Sequence, residues 1–241
     1  LWMLFLGLCI CWAGMTTKLS AAEIATENEE NLQQISVDLS DEVIQEGGFP
    51  KAESTSRKSR SSVDSGKEKE VQKVLLEAWD SFAESCDLSS YGLTKDELGT
   101  VYFGTLNTHP RYFYVDSSIS YYINGGIVSR VIIEYAMDKE AAAKAEEAYD
   151  RAIADVVRDA DNSWSDMEKA LYVNDYLARN CQYDTKYEKY SSYNALVDKT
   201  AVCQGYALAF LELTKQLGVT CEIVTSDSVD HAWNMIKVGD S

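Results

Sequence analysis

The C-terminal part of the chain changes from helical to strand periodicity at one glycine, and this change constrains the fold more than any other feature. Apolar residues recur at helical spacing as far as Leu217 and are followed by Gly218, a typical helix stop. Residues 219–225 and 231–238 then have strand composition, with a turn at 226–229 between them. We therefore predict a helix that packs across an antiparallel hairpin.

A cysteine lies near the start of this helix. Thr200 is the predicted N-cap, which places Cys203 at the third helical position. The unpaired N–H groups and the dipole of a first helical turn stabilise a thiolate, the form in which a thiol is nucleophilic. The same N–H groups can receive the oxyanion of a tetrahedral intermediate. We predict Cys203 as a nucleophile, and we expect Gly205 to keep the surface beside its sulfur open.

His231 begins the second strand of the hairpin and is the predicted general base. On a strand it shares one face with Trp233 and Met235. If that face packs on the helix, His231 can take a proton and later return it. A third group must orient the imidazole. Gly239 and Asp240 predict another turn, so we expect this group on a strand beyond Ser241; Asn234 is a weak substitute because it points to the opposite face.

The rest of the chain suggests four segments: a signal peptide or anchor at 1–22, a disordered linker at 23–66, an N-terminal helix, antiparallel-sheet and helix region at 67–160, and a helix-plus-hairpin core at 161–241. The sheet is predicted from β-rich runs at 112–115, 118–123 and 128–135, with a turn at 124–126. Ser165 and Glu168 have capping-box spacing and predict a helix that carries Met167, Leu171, Leu177 and Cys181 toward a core.

The first fourteen residues are apolar but short for a membrane span, and small residues follow at Ala21 and Ala22. We favour a cleaved signal peptide and secretion; an uncleaved membrane anchor is the alternative. The net charge of −17 argues against a nucleic-acid partner. With two histidines, His109 and His231, and no Cys-x-x-Cys pair, we predict no metal and no cofactor.

Four cysteines follow the first segment: Cys86, Cys181, Cys203 and Cys221. In an exported protein they allow two disulfides, whereas a catalytic Cys203 would leave an odd number for pairing. The sequence leaves these alternatives open. We interpret the other three cysteines as structural, because none of them begins a predicted helix, and we interpret His109 as structural because it precedes Pro110 in a predicted turn.

Three segments in combination resemble a known family: residues 191–207 around Cys203, residues 217–221, and the run His231-Ala-Trp-Asn234. They look like the transglutaminase-like superfamily, and most like its bacterial secreted branch, over about residues 164–240. The resemblance implies an α+β fold with a papain-like core and a Cys-His-Asp triad. Cys203 and His231 match the first two members, and the aspartate would follow the Gly239-Asp240 turn, so the resemblance describes a C-terminally truncated domain.

Two classes of function follow from this resemblance. The first is a thiol enzyme that acts on the amide bonds of a protein or peptide through a Cys203 thioester, with water or an amine as acceptor. Animal transglutaminases carry Cys-Trp where this chain has Cys203-Gln204, which weakens the case for cross-linking in particular. The second is a non-catalytic interaction module at the cell surface. The sequence does not indicate whether the protein is a monomer or an oligomer.

Overall fold

The structure is a computed structural model. It describes residues 63–226 and 230–239 in full and residues 31–35 by their backbone alone. The predicted signal peptide or anchor, residues 1–22, lies outside the described residues, as does most of the predicted linker. None of the described helices is both long enough and apolar enough to cross a membrane.

The N-terminal region consists of helices packed on an antiparallel sheet. Its elements are β1 (Asn31–Ile35), α1 (Ser65–Ser81), β2 (Ser85–Asp87), a 3₁₀ turn (Ser89–Tyr91), α2 (Lys95–Thr108), β3 (Val115–Asn124) and β4 (Ile127–Tyr135). The strand order is β1-β3-β4-β2. Gly125 and Gly126 turn the chain between β3 and β4 with φ of +58° and +85°, a conformation that other residues rarely adopt. The predicted hairpin turn is confirmed.

Two predictions for this region differ from the structure, and one helix was not predicted. Strand β1 lies inside the predicted linker, where its backbone pairs with the edge of β3. Residues 112–114 precede β3 in a turn instead of forming a strand. Helix α2 was not predicted, although Thr94 and Glu97 form a capping box at its start.

The C-terminal region contains the other three described α-helices, together with short strands and a hairpin. Its elements are α3 (Lys139–Arg158), α4 (Asp166–Asn180), β5 (Gln182–Tyr183), a π-helical turn (Asn194–Asp198), β6 (Thr200–Ala201), α5 (Cys203–Gln216), β7 (Cys221–Ser226) and β8 (His231–Ile236). The predicted helix followed by an antiparallel hairpin is confirmed, and Gly218 takes a φ of +76° just after α5. Helices and antiparallel sheets together make an α+β fold, as predicted.

The buried apolar residues form two clusters. One joins α1, α2, β3 and β4 around Trp79 and Tyr102. The other joins α3, α4 and α5 around Tyr149, Val173 and Leu213. Helix α3 thus packs with the helix that bears Cys203. The second cluster is the rigid support on which the candidate site is built.

The capping box of α4 is confirmed, since the Ser165 hydroxyl accepts from the Glu168 N–H and the Glu168 carboxylate accepts from the Ser165 N–H. The predicted buried face of this helix is wrong in part. Leu177 and Cys181 are buried, but Met167 and Leu171 are 45% and 59% exposed. The buried face of the helix consists of Ala170, Val173 and Leu177, and Met167 and Leu171 lie outside it.

Candidate active site

Cys203 is the first residue of α5, whereas the sequence predicted it at the third helical position. The helix thus begins two residues later in the chain than predicted. Thr200 is not the N-cap, because residues 200–201 are held in β6 by parallel pairing with β5. Val202 occupies the cap position and its side chain makes no capping bond in the described structure. The first intrahelical bond runs from the Tyr206 N–H to the Val202 carbonyl, at 3.1 Å. The N–H groups of Cys203 and Gln204 therefore have no carbonyl partner within the helix.

Gly205 has a different role from the one predicted. It is buried, and a Cβ atom there would lie 2.7 Å from the Ala201 Cβ and 2.8 Å from the Ser191 carbonyl oxygen. Both distances are far inside van der Waals contact. The glycine therefore permits close packing of α5 against the chain that precedes it, instead of opening the surface beside the sulfur.

The hairpin packs on α5 through the strand face opposite to the predicted one. In β8, Ala232 is buried, and the Asn234 amide donates to the Ala207 carbonyl at 3.0 Å. His231, Trp233 and Met235 lie on the exposed face. A small residue and a satisfied amide allow the close approach of helix and strand. Asn234 and His231 lie on opposite faces of β8, as predicted, but the face that packs on α5 is that of Asn234.

Two cavities meet at Cys203. The larger has a volume of about 470 Å³ and the smaller about 110 Å³. Four residues line both of them: Tyr183, Cys203, His231 and Ala232. The predicted nucleophile and base thus border the same space, His231 reaching it from the first position of its strand. The imidazole also stacks on the Trp233 ring, with centroids 6.1 Å apart.

The two cavities are bounded by different parts of the domain. The larger lies between α4, α5 and β8, and its other lining residues are Asn174, Leu177, Ala178, Tyr206, Ala207, Phe210, Trp233 and Asn234. The smaller has as its other lining residues Tyr187, Tyr190, Val202, Gln204, Thr225, Ser226 and Asp230. The two cavities thus extend from Cys203 along different elements.

Tyr183 lines both cavities and was not predicted from the sequence as a candidate site residue. Its side chain is 49% exposed and its ring stacks on Tyr206, with centroids 6.4 Å apart and an interplanar angle of 22°. The pKa of Tyr183 is raised, first by partial burial and then by the negative charge of a Cys203 thiolate. The phenol thus remains a hydrogen-bond donor beside the sulfur at neutral pH. The pairing of β5 with β6 places Tyr183 beside Cys203, and no local sequence pattern predicts that pairing.

Asp184 organises the loop beside the smaller cavity. Its carboxylate accepts from the N–H groups of Lys186, Glu188 and Lys189 at 2.8 to 3.0 Å. The pKa of Asp184 is lowered, chiefly by the Glu188 N–H. This loop carries Tyr187, so the carboxylate helps to shape one wall of that cavity.

The other cysteines of the described structure have raised pKa values. Burial raises the pKa of Cys86 to about 12 and also raises the pKa of Cys181 and of Cys221. All four cysteines of this part of the chain, Cys203 included, are unpaired. His109 ends α2, where its Nδ1 lies 3.0 Å from the Thr105 carbonyl oxygen, a local structural contact. Within the described ranges, no group of three or more His, Cys, Asp or Glu side chains is arranged to hold a metal ion.

Comparison with known proteins places this site in a family context. Residues 151–241 match the family model described as the transglutaminase-like superfamily. This part of the chain is therefore a transglutaminase-like superfamily domain, and it contains Cys203, His231 and both cavities. A search among curated proteins found no match.

Proposed function

We propose that the chain is a thiol enzyme that transfers an acyl group from an amide through a thioester on Cys203. The observation that carries this proposal is that Cys203 and His231 line the same two cavities at the start of α5. A nucleophile, a base and a set of unpaired helix N–H groups are the parts that acyl transfer requires.

The Cys203 thiolate attacks the carbonyl carbon of the amide, and the carbonyl oxygen becomes an oxyanion. The backbone N–H groups of the first turn of α5 and the Tyr183 phenol are placed to donate to that oxygen. The C–N bond then breaks while protonated His231 gives its proton to the leaving amine. The products of this half are a free amine and the Cys203 thioester.

Water or a second amine then attacks the thioester carbonyl and gives its proton to His231. The C–S bond breaks and the thiolate is restored. We favour water, and therefore a peptidase or amidase, because the chain has Gln204 where animal transglutaminases have tryptophan. Secretion or attachment to the cell surface is part of the proposal, and so is a protein or peptide substrate.

An activated ester tests the thioester step without knowledge of the natural substrate. Incubation with p-nitrophenyl acetate should release nitrophenol in a burst, and peptide mass mapping should find the acetyl group on Cys203. Cys203→Ser should abolish the burst. His231→Asn should slow turnover by about 100-fold or more, as loss of an acid–base group does. Acetylation spread equally over Cys203 and Cys221 would refute the proposal.

The second candidate function is an interaction module, and one observation favours it. Large apolar side chains are exposed on α4 and β8, both of which border the larger cavity: Met167, Leu171, Trp233 and Met235. Exposed apolar side chains of this kind occur at protein-binding surfaces. An inactive wild type that nevertheless binds a protein partner, and loses it on Trp233→Ser, would favour the module over the enzyme.

A further inference from the structure

The residue that follows the nucleophile is tied to the N-terminal region. The Gln204 side-chain amide donates to Asn107 Oδ1 at 2.5 Å, and both side chains are half-buried. Asn107 lies in the last turn of α2, well before the matched domain begins at residue 151. Gln204 also lines the smaller cavity. A side chain outside the family domain thus contacts a wall of the candidate active site.

The segment that follows Asn107 is itself fixed against the C-terminal region. The Pro110 carbonyl accepts from the Ser192 hydroxyl at 2.7 Å, and that hydroxyl accepts from the Tyr149 phenol at 2.9 Å; both bonds are buried. The Phe113 ring packs on the rings of Tyr149 and Tyr193, with centroids 5.0 and 4.8 Å apart. The chain that follows α2 is therefore packed against the C-terminal region three residues after Asn107.

Among the described residues, the start of α5 has no side-chain cap of its own. Its N-cap, Val202, supplies no side-chain hydrogen bond in the described structure, whereas α2 and α4 both have capping boxes. Uncapped first turns are less stable and fray. A bond from Gln204 to Asn107 restrains the second residue of the helix and, through its backbone, the position of the Cys203 sulfur and N–H.

We propose that Asn107 is a positioning residue that holds the first turn of α5 through Gln204, so that the N-terminal region forms part of the active site. This proposal rests on the proposed function for its effect on turnover. Its effect on the thiol itself is independent of any substrate.

A double-mutant cycle tests it on the whole chain. The cycle compares the wild type with Asn107→Ala, Gln204→Ala and the double variant. The first measurement is the rate of Cys203 alkylation by iodoacetamide as a function of pH. The second is kcat and KM with p-nitrophenyl acetate. Each single variant should lower the alkylation rate and kcat about threefold to tenfold, the worth of one hydrogen bond. The double variant should be no slower than the slower single one, since the two residues act as a unit.

Two further variants separate positioning from general stability. Asn107→Asp keeps an acceptor oxygen and should recover most of the rate, whereas Lys95→Ala, at an exposed position on the same helix, should change nothing. Additive losses in the double variant, or a wild-type alkylation rate in Asn107→Ala, would overturn the proposal. If Asn107→Ala fails to fold, the comparison of Gln204→Ala with Asn107→Asp tests the proposal instead. Gln204→Ala must then lower the rate of Cys203 alkylation, and Asn107→Asp must keep it.

The failure of this proposal and that of the proposed function are distinguishable. A wild type that never forms the thioester would end the proposed function, while the alkylation cycle would still report on the positioning of the thiol. Normal turnover together with additive losses in the double variant would support the proposed function and refute the positioning role of Asn107.

Discussion

The ring of Tyr183 stacks on the ring of Tyr206, and this contact holds the Tyr183 phenol at the junction of the two cavities beside Cys203. Tyr183→Phe keeps the stacking and removes the hydroxyl. We expect kcat with an activated ester to fall by about 100-fold, as for the loss of one oxyanion donor. KM should stay within about twofold, since the donor acts on the transition state. Steady-state kinetics measure both; an unchanged kcat would exclude Tyr183 from the chemistry.

Alkylation should distinguish Cys203 from the other described cysteines. Burial raises the pKa of Cys86 to about 12 and raises that of Cys181 and Cys221, so their thiolate fractions near neutral pH are small. Iodoacetamide should label Cys203 first in the native protein, as followed by peptide mass mapping. Unfolding in guanidinium is the control and should make all of them reactive. Native labelling of Cys221 as fast as that of Cys203 would contradict the assignment.

Gly205→Ala should destabilise the protein, because its methyl group would meet the Ser191 carbonyl oxygen at 2.8 Å. Overpacking of this kind costs about 1–3 kcal/mol in the free energy of unfolding. Gly99→Ala is the matched control: it also adds a methyl group within a helix, but with open space around it, and should stabilise by about 0.5–1 kcal/mol. Urea titration measures both, and equal effects would contradict the close approach at Gly205.

Ser192 links two buried partners, since it donates to the Pro110 carbonyl and accepts from the Tyr149 phenol. Ser192→Ala leaves both partners unsatisfied and should cost about 1–3 kcal/mol per orphaned group. Tyr149→Phe removes one of these partners and should cost less. In the double variant the loss should be smaller than the sum of the single losses. Additive losses in urea titration would show that the three groups do not act together.

The Asp184 loop should lose order in acid. The pKa of Asp184 is lowered in the folded protein, so its contribution is complete above the ordinary carboxyl value of about 3.9 and is lost as the pH falls through the folded value. Hydrogen exchange of the Lys186, Glu188 and Lys189 amides should therefore be protected near pH 5 and should lose protection in stronger acid. Asp184→Asn should be less protected already near pH 5, without the acid step. An acid step of equal size in Asp184→Asn would assign it to another group.

The sequence was sufficient for features that depend on neighbours along the chain. The capping box at Ser165, the turn at Gly125 and Gly126 and the helix stop at Gly218 are local, and all were predicted. Helix α2 also had a local signal, the Thr94 and Glu97 capping box, but Gly99 and Gly104 weaken its helical pattern and it was missed. Asn107 was missed with it.

By itself, the sequence determined that a cysteine lies near the start of a helix, that a histidine begins the second strand of the hairpin after it, and that the fold is α+β. Only the tertiary structure decided which residues surround that cysteine. The pairing of β5 with β6 moved the helix start to Cys203 and placed Tyr183 beside it, and the docking of α2 brought Asn107 to Gln204. These are contacts between residues distant in sequence, and no periodicity records them because periodicity reports only which face of one element is buried.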